Sequence, residues 1–81
     1  MTIRVLLFGH YRDAVEGGSL TLSLPDGATV ADAASEVSSR DSRLADLPRR
    51  VRAAIGESFV TFDRALSDGD EVAFLPPMSG G

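Results

Sequence analysis

The sequence predicts an α+β fold: a mixed sheet of about five strands with one main helix packed on one face. Three observations lead there. SLTLSLPDG (19–27) alternates apolar and polar residues strictly, the pattern of a half-buried strand. ATVADAASEVSSRD (28–41) repeats its apolar residues at helical spacing instead. The remaining strand-like runs are short and bounded by turn residues.

TIRVLLFG (2–9) is rich in branched and aromatic residues and ends at Gly9. Its run Val5 to Phe8 is apolar on both faces, which suits a central strand. HYRDAVEGG (10–18) has room for one or two helical turns before Gly17-Gly18 break them. The next strand puts Leu20, Leu22 and Leu24 on one side and closes in a Pro25-Asp26-Gly27 turn. Thr29 followed by Asp32 resembles a helix N-cap with an acidic residue in the first turn. Val30, Ala33, Ala34 and Val37 form a narrow stripe whose small residues let the helix sit close on a sheet.

Residues 42–52 read as a loop with a short helix at most, anchored by Leu44, Leu47 and Val51 and broken by Pro48. RAAIGESFVTFD (52–63) contains two short strands around a Gly56-Glu57 turn. ALSDGDEVAFLP (65–76) carries an Asp68-Gly69 turn and a last strand at 71–75, stopped by Pro76. A β-grasp arrangement satisfies this order, with the first and last strands parallel and adjacent in the middle. A ferredoxin-like fold needs a second long helix. The 81 residues make one domain, with 76–81 as a projecting tail.

Period-two counting assigns the faces. Arg4 faces solvent, so Ile3, Val5 and Leu7 turn to the core while Leu6 and Phe8 share the side of Arg4. Thr61 places Val60 and Phe62 inward and Phe59 outward. Glu71 and Ala73 point out, so Val72 and Phe74 point in and Leu75 out. Phe8, Phe59 and Leu75 are therefore expected on the open face, bordering the root of the tail as a docking patch.

Composition narrows the function. Without cysteine there are no disulfides, thiolate metal sites or thiol nucleophiles. One histidine, His10, is too few for an imidazole metal site, and it reads as a surface residue. Net charge is −4, from 12 acidic residues against eight cations, which disfavours nucleic acid as a partner. All the cations are arginine. No apolar run is long enough for a membrane span and no signal-peptide pattern is present, so a soluble, cytoplasmic protein is expected. Asp68-Gly69-Asp70-Glu71 is turn chemistry rather than a metal site. Arg49, Arg50 and Arg52 form a small solvated basic knot, a possible contact for an acidic partner.

The tail carries the chemical signal. Pro76-Pro77 fixes an extended direction and stops the ladder. Met78 and Ser79 follow, then Gly80 and Gly81, the thinnest peptide that can enter a narrow tunnel. A carboxylate at the end of such a tunnel is open to activation by ATP as a transient acyl-adenylate, and sulfur in its place makes a thiocarboxylate with a soft, nucleophilic sulfur. No permanently bound cofactor is expected.

IRVLLFG…YRD at the start and TFDRALSDGDEVAFLPPMSGG at the end resemble the small subunits of molybdopterin synthase, ubiquitin-like sulfur carriers of molybdenum cofactor biosynthesis. The resemblance covers the whole chain, and its specific part is the pattern L-x-D-G-D-E-V-x-F-x-P-P-x-x-G-G. It implies a β-grasp fold and a Gly81 that an E1-like enzyme adenylates and a sulfurtransferase supplies with sulfur. It also implies delivery of sulfur to cyclic pyranopterin monophosphate inside a large synthase subunit, in a heterotetramer, with no catalysis by this chain alone. Gly80 and Gly81 become the reacting end, and Phe8, Phe59, Leu75, Pro76, Pro77, Met78 and Ser79 the docking residues. Leu75 stands where relatives more often have an aromatic residue, and Gly56 where they commonly have Asn. The alternatives are a sulfur carrier for the thiamine thiazole and a ubiquitin-like protein modifier.

Overall fold

The computed structural model describes residues 1–77. Strand β1 (Thr2–Leu7) leads into two 3-10 segments, Gly9–Ala14 and Glu16–Gly18, and then β2 (Ser19–Ser23). Helix α1 (Val30–Ser38), a 3-10 turn (Ser42–Leu44) and helix α2 (Leu47–Arg50) precede β3 (Arg52–Ile55), β4 (Ser58–Val60) and β5 (Glu71–Leu75). The five strands form one sheet in the order β2-β1-β5-β3-β4. Only β1 and β5 run parallel; the other three pairings are antiparallel. This is the β-grasp, or ubiquitin-like, arrangement.

The Asp68-Gly69-Asp70 turn starts the central pair. Gly69 takes φ +87°, a conformation most side chains avoid. Its N–H donates to the Thr2 carbonyl at 2.8 Å, while Arg4 N–H donates to the Asp70 carbonyl at 2.9 Å. Asp68 Oδ1 accepts from Thr2 N–H and Asp70 Oδ2 from Ser67 N–H. Both carboxylates are thus used by backbone, and among the described residues no acidic or histidine cluster could hold a metal ion.

Period-two counting sorts the sheet correctly where a polar residue marks a face. Ile3, Val5, Leu7, Val72 and Phe74 are all buried on the helix side. Val60 and Phe62 also turn inward but are only half-buried, because β4 ends at Val60 and its edge lacks a further strand. Against this layer lie Val30, Ala33, Ala34 and Val37 of α1, each fully buried.

The helix starts where Thr29 and Asp32 predict. Thr29 Oγ1 accepts from Asp32 N–H, and Asp32 Oδ2 accepts from Thr29 N–H at 2.8 Å, which is a capping box. The first two helical N–H groups would otherwise lack partners. Val30 donates to the Arg64 carbonyl and Ala31 to the Phe62 carbonyl, at 3.0 and 2.8 Å. The cap therefore also ties the loop before β5 to the helix.

The segment 42–52 is more ordered than its polar sequence implies. Leu44 and Leu47 are fully buried and Val51 nearly so. Pro48 does not break a helix here but begins one, in the first turn of α2, where a missing N–H leaves no hydrogen bond unmade. Tyr11 is the long-range tie: its ring is fully buried and its hydroxyl donates to Asp46 Oδ1 at 3.1 Å. Burial, then this hydrogen bond to a carboxylate, pushes the Tyr11 pKa up.

Leu47→Ala should cost about 2–5 kcal/mol in urea unfolding, a core-type loss that a solvated loop would not show. Asp41 gives a pH signature. Hydrogen bonds from the Arg43 side chain and backbone lower its pKa from 3.8 to about 2. Because the folded pKa is the lower one, its contribution is complete above pH 3.8 and fades as pH falls through about 2. The difference in urea midpoint between the native protein and Asp41→Asn should shrink over that window; a constant difference would rule out this carboxylate as the source.

Candidate functional site

The helix covers one face of the sheet, and the strand register decides what the other face shows. Arg4 opposes Glu71, Leu6 opposes Ala73, and Ala73 opposes Ala54, which in turn opposes Phe59. One row of the open face is therefore Leu6, Ala73, Ala54 and Phe59. The next row places Leu75 opposite Arg52, with Phe8 one residue beyond the last β1–β5 pair, Leu7 with Phe74.

Phe8 is 37% exposed and Phe59 60% exposed, as the face assignment expects. Leu75 lies on the same face but is half-buried, so it forms the floor of the patch rather than a projecting part. Ala73 and Ala54 keep the middle of the face shallow. Small side chains there leave Phe59 standing clear at one side.

The face is not uniformly apolar. The Arg52 guanidinium carbon sits 4.2 Å from the centroid of the Phe59 ring, a cation–π contact. In sequence Arg52 sits with Arg49 and Arg50 as one solvated knot, and the register separates them. Arg52 starts β3 on the open face, whereas Arg49 and Arg50 end α2. Its even spacing from Ala54 was the available signal. What hid it was that a strand edge beginning at 52 has no polar marker inside the strand.

The root of the tail is positioned by close contact with Gly9. A Cβ on Gly9 would come within 2.6 Å of Pro76 Cγ, and Gly9 has φ +62°. Only glycine satisfies both the left-handed backbone and the approach of the proline ring. From the sequence alone Gly9 has only the lesser role of ending a strand. Pro76 is half-buried and Pro77 exposed. Met78, Ser79, Gly80 and Gly81 lie outside the described residues.

Beside Pro77 is an open groove of about 450 Å³ lined by Asp46, Arg49 and Arg50. It continues past Pro76 to His10, which is exposed as expected. Arg50 Nε is 3.3 Å from Asp46 Oδ2, and Asp46 also accepts from Tyr11. Partly exposed pairs of this kind add little stability but fix the direction of a side chain. The arrangement is an apolar patch and a basic groove that meet at Pro76-Pro77. Among the described residues, no helix is long and apolar enough to cross a membrane.

The model of the ThiS family matches residues 5–81, and so runs through Gly81. The molybdopterin synthase sulfur carrier subunit of Escherichia coli (strain K12) is 38% identical, over 98% of this chain and 99% of that protein. SAMP1 from Haloferax volcanii shares the fold with a TM-score of 0.79 at 21% identity, covering 100% of both chains. A chain in the complex of subunits 1 and 2 of the molybdopterin-converting factor from Helicobacter pylori 26695 aligns over 100% of both chains, with a TM-score of 0.69 and 18% identity.

Gly9→Ala should lower stability by roughly 1–2 kcal/mol, the cost of a left-handed side-chain residue. It should also shift the amide resonances of Phe8 and Leu75 as Pro76 is displaced. Unchanged resonances at both positions would show that the tail root does not depend on this contact.

Proposed function

The chain belongs to the ThiS family, and from that premise we propose that it works as the sulfur-carrier subunit of a molybdopterin synthase. The observation that carries this reading is the 38% identity to the E. coli subunit of that name, end to end. The geometry supports it independently. Parallel β1 and β5 bring Phe8, Leu75 and the exit of the tail to one end of the sheet, so a partner seated on the patch receives the tail.

In this reading Gly81 supplies the reacting carboxylate. An E1-like enzyme joins one carboxylate oxygen to the α-phosphorus of ATP, with pyrophosphate leaving. The outer sulfur of a sulfurtransferase persulfide then attacks the acyl carbon and expels AMP, and a second thiol cleaves the resulting acyl disulfide, taking up the sulfurtransferase sulfur in a new disulfide. The thiocarboxylate so released attacks an electrophilic carbon of cyclic pyranopterin monophosphate through its sulfur, as an oxygen substituent leaves that carbon. Hydrolysis of the resulting acyl–sulfur bond leaves sulfur on the substrate and restores the carboxylate. Gly80 keeps the arm thin enough for both enzymes, and Pro76-Pro77 limits its directions and so the entropy lost on insertion.

This chain contributes the carried atom and the docking surface; the substrate pocket belongs to the large subunit. The H. pylori neighbour is itself part of a complex of subunits 1 and 2, which supports a large-subunit partner for this chain too. Phe8, Phe59 and Leu75 are the residues that such a partner covers, with Pro76, Pro77, Met78 and Ser79 threading beyond them.

Protein isolated from its native host should contain a species about 16 Da heavier, one oxygen exchanged for sulfur at Gly81. Deletion of Gly81 should leave the unfolding curve unchanged and abolish sulfur donation. Donation by the shortened chain would refute the carrier reading. Met78-Ser79-Gly80-Gly81 remnants on lysines of other proteins would favour the modifier instead.

A further inference from the structure

Arg52 lies within the patch, between Leu75 and Phe59. It faces Leu75 across the β3–β5 ladder, and its guanidinium covers one side of Phe59 at 4.2 Å. The other arginine on this face, Arg4, is 3.5 Å from Glu71 at the far end of the sheet. Arg52 takes part in none of the ion pairs among the described residues.

The burial of Phe59 cannot be separated from the fate of Arg52. A partner that covers the ring must either push the guanidinium aside or take it into the interface. Pushing it aside breaks the cation–π contact and reorders a long side chain. Taking it in strips water from a cation that does not shed its proton. A desolvated charge without a partner is strongly unfavourable, whereas a carboxylate in fork geometry compensates it and adds directionality. Net charge makes the requirement local: a chain of −4 repels an acidic surface as a whole, so an acidic group is tolerated only against a fixed cation.

We propose that the protein surface which closes over Phe8, Leu75 and Phe59 presents an aspartate or glutamate to Arg52, so that docking reads a charge as well as an apolar shape. The proposal rests on the sulfur-carrier reading, in which that surface belongs to the large synthase subunit. Arg52 is then a specificity residue. It favours a large subunit with a carboxylate at this point over β-grasp-binding surfaces that are apolar throughout.

The test is calorimetric titration of the large subunit from the same organism with the native protein, Arg52→Lys, Arg52→Met and Arg52→Glu, at low and high salt. Methionine preserves an unbranched stem over Phe59 and removes the charge together with the guanidinium donors. The expected result is weakening on the order of tenfold for Arg52→Met and a hundredfold for Arg52→Glu, with Arg52→Lys in between. Arg52→Met should also bind with a flatter salt dependence. Equal or tighter binding by Arg52→Met, with the native salt dependence, would overturn the proposal. Thermal unfolding of each variant identifies any loss due to misfolding, and Arg52→Lys preserves the comparison if Arg52→Met is unstable. If the native protein itself fails to bind the large subunit, the sulfur-carrier reading falls; if it binds and Arg52→Met matches it, only the present inference falls.

Discussion

The parallel ladder between β1 and β5 pairs Arg4 with Glu71 at one end and Leu7 with Phe74 at the other. Because the strands point the same way, the residues that follow each of them emerge side by side. Phe8 and Gly9 leave β1 where Pro76 leaves β5, and the missing Gly9 side chain lets the proline ring settle against the turn. An antiparallel pair would have sent these segments to opposite ends of the sheet. Phe8 and Pro76 are neighbours for this reason, although some 65 residues separate them in the chain.

Covering only one face of the sheet has a second consequence. One helix of nine residues, helped by Leu44, Leu47 and Tyr11, seals the inner side. A chain of this size has too little material to seal the other side as well. Apolar side chains on the outer face are then available for a partner, and Leu6, Phe8, Phe59 and Leu75 lie there. The shallow alanines between them suit a broad protein contact better than a small-molecule pocket.

Charge refines what the apolar surface begins. Arg50 is tethered by Asp46, and Asp46 by Tyr11, so the floor of the groove beside Pro77 is held by the same buried tyrosine that secures the turn after β1. Arg52, by contrast, lies over Phe59 on the open face. Two arginines close in sequence thus serve different surfaces, one lining the groove beside Pro77 and the other the open face of the sheet.

Much of this was legible in the amino-acid order. The capping pair Thr29–Asp32, the small-residue stripe of α1, the alternation of β2, the Asp68-Gly69 turn and the facing of β1 are local properties, set by side-chain period and backbone preference. The C-terminal pattern also carried the family resemblance. Other features needed the folded chain. Leu75, opposite Arg52 of β3, is half-buried; Pro48 sits in the first turn of a helix whose first residue, Leu47, lies in the core; Tyr11 is buried with its hydroxyl on Asp46, 35 residues away. Each depends on register or on contact between distant segments, and a sequence encodes those only through the free energy of the whole fold. Local order determined which residues could face outward; the pairing of strands decided which of them meet.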